Sequence, residues 1–456
     1  MEDILSHSET TDPAVMAGAM LRQHVADNVD ALNRLEPDVG AAVLARLPQE
    51  RAVEVLDQPE LDFAPDIVTQ LQPEQAARLL GAMSADRAAD IFHRLDEPAR
   101  SQLLERLDSD SRASIQRLLV YPENTAGSLM TTEFVSVPST WTAGQTLQHV
   151  RQVERTRETV YAIYVLDPHT KRLVRAISLR RLISVEPDAP ILSAARTLEP
   201  ISVSPLTDQE EVGRLFRKHD LLAVPVVDNV GHVLGIVTVD DVIDAILEEG
   251  SEDVQKFGGM EAIEKPYLQI GFAEMIRKRG GWLCALFLSE MLTASAMQHF
   301  ESELEKALVL TLFIPLIMSS GGNSGSQATS LLIRSLALQE LRLADWWRVA
   351  LRELPTGLLL GAILGVIGIG RIALWQHFGI YDYGAHWALV AATVGAGLVG
   401  VVTFGSLAGS MLPFILQRLG FDPASASAPF VATLVDVTGL VIYFSVAVVI
   451  LTGTLL

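Results

Sequence analysis

Residues 429–444 read PFVATLVDVTGLVIYF, and Asp436 within them is the only charged residue between Asp422 and the last residue of the chain. An apolar run of this kind has membrane-spanning length, and a carboxylate at the centre of a span costs on the order of 3 kcal/mol even on the mildest insertion scale. Such a group faces a partner, water or an ion. No basic partner is at hand in the neighbouring apolar runs: Arg371 stands near one end of its helix, and the other cations cluster at helix ends. A permeating cation is the counter-charge this pattern favours. The other reading is a protonated Asp436 hydrogen-bonded to an adjacent helix, and Glu290 in an earlier run is ambiguous between the two.

Outward from Asp436 the second half of the chain reads as five spans, at about 281–299, 307–333, 354–377, 385–416 and 428–455. Their flanks orient them. Arg277, Lys278 and Arg279 precede the first span, Arg334, Arg342, Arg348 and Arg352 fall between the second and third, and Arg418 lies between the fourth and fifth. Those sides are expected to be cytoplasmic. The opposite connections hold only Lys306 and Arg371, so the C-terminus is expected outside a plasma or inner membrane crossed several times. The polar, acidic start MEDILSHSETTDPAV lacks a secretory signal pattern and is expected to stay cytoplasmic. In the second span Pro315 and the run SSGGNSGSQ (319–327) are poor helix formers, so locally unwound backbone lining a watery path and simple glycine packing both remain open. Gly357, Gly361 and Gly365, like Gly405 and Gly409, fall at four-residue spacing and fit close helix contact.

The first half has a different composition. The 456 residues carry a net charge of −20 while nearly half are hydrophobic, and the acidic residues crowd the part before about residue 280. A surface this acidic repels nucleic acid and attracts cations. The single cysteine, Cys284, excludes a disulfide framework or a cysteine-rich metal cluster. Nothing in the chain reads as a nucleophile with its base or as a phosphate loop, so an enzyme is not expected.

Leu71, Met83, Leu95 and Leu107 recur every twelve residues and open the phrases LQPEQAARLL, MSADRAADIF, LDEPARSQLL and LDSDSRASIQ, with Leu47 two periods earlier. Each phrase places Ser, Asp or Pro at a helix start, so residues 21–130 read as a superhelical stack of short helices behind a flexible tail, 1–20. From 131 to 249 β-branched runs alternate with short helices, and YAIYVLDPHTKRLVRAISLRRLI matches AVPVVDNVGHVLGIVTVDDVI. Both copies read strand, turn at Asp167 or Asp228, strand, then a helix after Ser178 or Thr238. They resemble a tandem pair of CBS domains, here 131–199 and 200–249. In that family a Ser/Thr followed three residues later by Asp can hold a ribose; Thr238 and Asp241 fit, which implies an adenine nucleotide such as ATP, whereas the first copy has Arg181.

The run TVDDVIDAILEEGSEDV then places Asp240, Asp241, Asp244, Glu248, Glu249, Glu252 and Asp253 within fourteen residues that contain no Lys or Arg. On a helix these carboxylates form rows at i,i+4, each like-charge pair costing about 0.2–0.5 kcal/mol. A divalent cation reverses the sign, and oxygen-only donors suit Mg²⁺ or Ca²⁺. An acidic solvated linker is the plainer reading.

Taken in order, AGSLM (126–130), VPVVDNVGHVLGIVTVDDV, GGNSGSQ and PFVATLVDVTGL resemble the MgtE family of magnesium channels over essentially the whole chain. The resemblance implies a multidomain fold: a helical N-domain, an α/β CBS pair, a connecting helix at about 250–276 and an all-α polytopic membrane domain, 277–456. It also implies a homodimer passing Mg²⁺ passively, with the second and fifth spans lining a pore. Along that pore the family pattern maps onto Gly321, Gly322, Asn323, Pro429, Ala432 and Asp436. Regulatory Mg²⁺ positions map onto Glu54, Asp86, Asp90, Asp208, Glu210, Asp220, Asp241, Asp244, Glu249, Glu252, Asp253 and Asp422. Ala428 and Ser326 depart from the pattern, where Asn is expected, so a broader channel for Mn²⁺, Co²⁺ or Ca²⁺ stands beside the Mg²⁺-selective one. A non-conducting metal sensor anchored in the lipid is a third reading, which Asp436 opposes.

Overall fold

The computed structural model describes residues 12–154, 157, 159–195, 198–263, 267, 270–301 and 308–455, and the chain divides into two compact units, Met1–Glu249 and Gly250–Leu456. The first unit opens on a ladder of short helices: α1 (Pro13–Met20), α2 (Val25–Leu32), α3 (Pro37–Leu44), α4 (Gln49–Leu56), α5 (Ala64–Gln70), α6 (Pro73–Leu80), α7 (Ala85–Arg94), α8 (Glu97–Arg106) and α9 (Ser109–Leu118). All but α5 start on one twelve-residue grid, so the repeat extends toward the N-terminus beyond the phrase at Leu47. The repeated Leu71, Met83, Leu95 and Leu107 are all buried, and each lies just ahead of a helix start, where it fills the space between successive rungs. Asp96 and Asp108 cap the helices that follow them, accepting from Ala99 N and from the amides of Asp110 and Ser111. The flexible tail expected over 1–20 needs correction at its end. Asp12 caps α1, Pro13 takes its first turn, and Ala17 and Met20 are buried, while residues 1–11 lie outside the described residues.

The two CBS copies follow. β1 (Val135–Pro138), α10 (Ala143–Val153), β2 (Ala162–Leu166), β3 (Leu173–Ser178) and α11 (Leu179–Ile183) make the first; α12 (Gln209–His219), β4 (Ala223–Val227), β5 (Val233–Thr238) and α13 (Val239–Phe257) make the second. β1 runs parallel to β2, and β2 is antiparallel to β3. In the second copy β4 and β5 pair antiparallel, with Val203 beside Val226 where β1 stands in the first. Thr131 exchanges backbone hydrogen bonds with Ile236, so the segment entering the first copy is an edge of the second. One hydrophobic core runs continuously from the helical ladder into the second copy, through Val212, Phe216, Val224 and Val237, while the first copy has a core of its own around Ile163 and Ile177.

The connecting helix expected at 250–276 also needs correction. α13 begins in the second CBS copy and ends at Phe257, because Gly258 and Gly259 follow and Gly259 adopts φ +75°, a conformation that ends a helix. The first membrane helix begins at Phe272, before its basic flank rather than after it.

The second unit holds α14 (Phe272–His299), α15 (Ile314–Ala337), α16 (Trp346–His377), α17 (Trp387–Arg418) and α18 (Ala428–Leu451), all long and apolar enough to cross a membrane. Helix α17 lies at the centre of their packing. A Cβ added at Gly361 would sit 2.6 Å from Val399 Cα, so α16 and α17 meet backbone to backbone. On the other side a Cβ at Gly405 would lie 2.3 Å from Gly321 O, and one at Gly409 would lie 2.2 Å from Gly325 O. Helix α15 is therefore continuous through Ser319–Gln327, and the glycines serve close packing rather than unwinding. Ser324 and Ser406 share a hydrogen bond of 2.9 Å across this contact, and Thr329 Oγ1 donates to Gly409 O at 2.7 Å.

Gly409→Leu is expected to remove about 1–3 kcal/mol of stability through overpacking, read as loss of the monodisperse peak in detergent. Gly370→Ala, where an added Cβ meets nothing within 4 Å, should behave as the parent.

Candidate functional site

Helices α15 and α18 run antiparallel and form one groove. Ser326 Oγ donates to Ala428 O at 3.4 Å, Gly322 faces Ala432 with 3.5 Å left for a Cβ, and Asp436 follows one turn beyond Ala432. Pro429, Ala432 and Asp436 are all partly exposed along α18. Asp436 makes no ion pair or hydrogen bond among the described residues, and the charge that acts on it electrostatically is another carboxylate, Glu290 of α14. Helix α15 presents Ser319, Asn323, Gln327 and Ser330 as one exposed polar row, at the spacing of a single helix face. Gly321 and Gly322 are both buried, and a Cβ added at Gly321 would meet Val401 of α17 and Val435 of α18, so Gly321 lies on the packing side of α15.

At the end of the groove nearest Asp422 a cavity of about 510 Å³ is lined by Phe257, Ser326, Gln327, Ser330, Leu331 and Ala428. Both departures from the family pattern, Ser326 and Ala428, therefore meet in one place. The tip of α13 is held there by contacts within the second unit. Trp282 touches Gly259 and donates from Nε1 to Ser427 Oγ at 3.2 Å, and Ser427 in turn caps α18 by accepting from Phe430 N. Lys256 Nζ lies 2.5 Å from Glu252 Oε1 and 2.7 Å from Asp422 Oδ2, and these carboxylates hold its pKa well above the usual lysine value despite partial desolvation. Asp422 also accepts from Ala424 N at 2.8 Å.

In the first unit the acidic positions are distributed among local partners. Glu54 pairs with Arg51 at 2.9 Å and Glu210 with Arg214 at 2.7 Å. Asp208 caps α12, Asp220 closes it at φ +50°, and Glu249 accepts from Gln209 Nε2 at 2.7 Å. Asp86 is buried. Asp90 of α7 comes within electrostatic range of Asp241 and Glu248 of α13: desolvation pushes its pKa up to about 7, Arg87 opposes, and the two carboxylates add to the rise. Asp244 is raised too, by desolvation and then by Glu60 and Asp240. Arg87, which donates to Gln58 O at 3.0 Å, is a counter-charge inside this group, with Arg94 acting beside it. One Arg within a repeated phrase carries no sequence signal of that role, and the same holds for Lys256.

Among the described residues no three His, Cys, Asp or Glu side chains gather closely enough to cage an ion. The donors are carboxylates, singly or in pairs, a set of the kind that holds an ion which keeps several of its waters. Thr238 Oγ1 donates to the Asp241 carboxylate at the start of α13, so the two residues of the expected ribose motif are in contact. Arg181 in the first copy instead donates to Ala194 O at 3.3 Å.

The raised Asp90 carboxyl has a pH signature. Its ordinary value is 3.8 and its folded value about 7, so between these the folded chain holds a proton that the unfolded chain has released, and stability falls as pH rises through that window. Asp90→Asn removes the titration. The melting temperature of the full chain in detergent, variant minus parent, is expected to grow from pH 4 to pH 8, and a gap independent of pH would contradict the assignment.

Comparison with known proteins gives the family of the chain. The family model for "MgtE: Divalent cation transporter" matches residues 314–446, that for the MgtE intracellular N domain matches 23–124, and that for the CBS domain matches 195–248. Magnesium transporter MgtE of Thermus thermophilus is 42% identical over 73% of this chain and 71% of its own length. Its counterpart in Enterococcus faecalis is 37% identical over 73% and 70%. A solved structure of the cytosolic domain of the Mg²⁺ channel MgtE in complex with ATP is 32% identical, covers 53% of this chain and 97% of that one, and superposes with a TM-score of 0.49. With its ladder of helices, its CBS pair and its five apolar helices, this chain belongs to the MgtE family of divalent cation transporters.

Proposed function

We propose that this protein passes Mg²⁺ down its electrochemical gradient through the α15–α18 groove, and that intracellular Mg²⁺ closes it. The observation that carries this reading is Asp436, a mid-span carboxylate whose charged neighbour is also an acid. A cation in transit supplies what the protein does not. The exposed row Ser319, Asn323, Gln327 and Ser330 supports an aqueous path, since a polar helix face is expensive against lipid and can be satisfied by water or by hydrated ions. One chain leaves the groove open on a side. A second copy bringing its own α15 and α18 would enclose it, and two Asp436 carboxylates would then hold a Mg²⁺ with most of its waters attached.

The regulatory half follows from charge. At low Mg²⁺ the carboxylates around α13 repel one another; at high Mg²⁺ hydrated ions screen or bridge Asp90, Asp241, Asp244, Glu249, Glu252, Asp253 and Asp422, together with Glu54, Asp86, Asp208, Glu210 and Asp220, and favour a closed end. Metal acts as the ligand of a two-state equilibrium. The basic flanks Arg277–Arg279, Arg334–Arg352 and Arg418 support a cytoplasmic sensor in a plasma or inner membrane, with the C-terminus outside. The Thr238–Asp241 pair supports an adenine nucleotide as a second ligand of the CBS domains.

Ala428 and Ser326 favour a second reading, a channel open to Mn²⁺, Co²⁺ or Ca²⁺, because both line the cavity at the mouth where Asn is expected, leaving fewer amides, Gln327 among them, to orient a Mg²⁺ hydration shell. Liposomes holding the purified chain separate these readings. Parent protein should take up Mg²⁺, high Mg²⁺ on the cytoplasmic face should suppress uptake, and Asp436→Ala should reduce it at least tenfold. Parent flux of Ca²⁺ or Mn²⁺ that Ala428→Asn removes would establish the broader channel. Flux absent from folded, inserted parent would leave a membrane-anchored sensor.

A further inference from the structure

Lys256 occupies an unusual position for a lone base. It is the first basic residue after the acidic run of α13, and its ammonium bridges Glu252 one turn back on the same helix and Asp422 in the connection between α17 and α18. That connection leads into Ser427, the cap of α18, and so to the helix that carries Asp436. Gly259, three residues after Lys256, seats against Trp282 and Pro429, so the tip of α13 meets the start of α18 through two independent contacts. The apolar one is set by shape. The ionic one depends on which cation sits between the two carboxylates.

We propose that Lys256 is a built-in counter-cation that competes with divalent cations for Glu252 and Asp422, and so sets the Mg²⁺ concentration at which the α13 tip locks onto the start of α18. This rests on the regulatory reading of those two carboxylates given above. The charge arithmetic supports competition. One ammonium between two carboxylates leaves a net charge of −1, which still attracts cations, whereas one divalent ion neutralises the pair completely. The Glu252, Lys256 and Asp422 side chains retain 29, 27 and 36% of their exposure, enough for a hydrated ion to approach and for the flexible lysine arm to swing away. Hydrated Mg²⁺, which needs only one or two carboxylates, matches the donor set left behind.

The test uses the full-length protein in detergent and reads protease protection during a Mg²⁺ titration, with no flux measurement involved. Lys256→Met leaves the two carboxylates mutually repelling and without a competitor, so its half-protection concentration is expected to fall about tenfold, the scale of two partly exposed charge contacts. Lys256→Arg keeps the charge and should titrate within about twofold of the parent. The double variant Lys256→Met/Asp422→Asn should lose the gain, because one of the contested ligands is gone. Lys256→Gln replaces the methionine variant if that protein does not fold. A midpoint unmoved or raised by loss of the charge overturns the competition while leaving regulation by Mg²⁺ intact. A parent with no Mg²⁺-dependent protection at all overturns both.

Discussion

The constraint on which the membrane half depends is an uncompensated carboxylate. Asp436 lies inside a helix whose remaining residues are uncharged, and the chain places Glu290, not a base, within its electrostatic reach. Burying such a charge without a partner is among the most costly things a membrane protein can do. The surrounding structure fits a compensating path: a groove floored by small residues at Gly322 and Ala432, a polar row on α15, and a cavity at its end. Each of these would be a defect in a helix bundle that merely anchors a protein. Together they support the proposed route for a cation that keeps its water.

Small residues make that groove possible by fixing the helices behind it. Apolar side chains gain little from meeting one another in lipid, so close backbone contact and a few interhelical hydrogen bonds decide the packing. Gly405 and Gly409 on α17 receive the carbonyls of Gly321 and Gly325, while Ser324 and Thr329 add polar contacts on the same face. Helix α15 is thus held by one side and free to present Asn323 and Gln327 on the other. The glycine-rich run is a packing device whose polar residues happen to lie opposite, which explains why it stays helical despite its composition.

The cytoplasmic half applies the same electrostatics in a milder dielectric. Its excess of acids is tempered by a base at a chosen point, Arg87 among Asp90, Asp57 and Glu248, and the second unit repeats the pattern with Lys256 between Glu252 and Asp422. Under the proposed regulation, a group of carboxylates balanced this narrowly would respond to small changes in cation occupancy. A fully paired cluster would be rigid and insensitive, and an unpaired one would not pack.

By itself the sequence determined the periodic features. A twelve-residue repeat predicts a ladder of short helices, duplicated strand–turn–strand–helix phrases predict the CBS pair, and uncharged runs predict the spans, because each is a local pattern repeated often enough to exceed chance. Asp436 was legible for the opposite reason, as the one charge in a long apolar run. Tertiary structure alone decided that Gly321 packs while Asn323 is exposed, and which base meets which acid. Those outcomes depend on side chains far apart in the chain, such as Lys256 and Asp422 or Gly325 and Gly409. Spacing along a sequence carries no record of such meetings, since they are set by how whole helices cross.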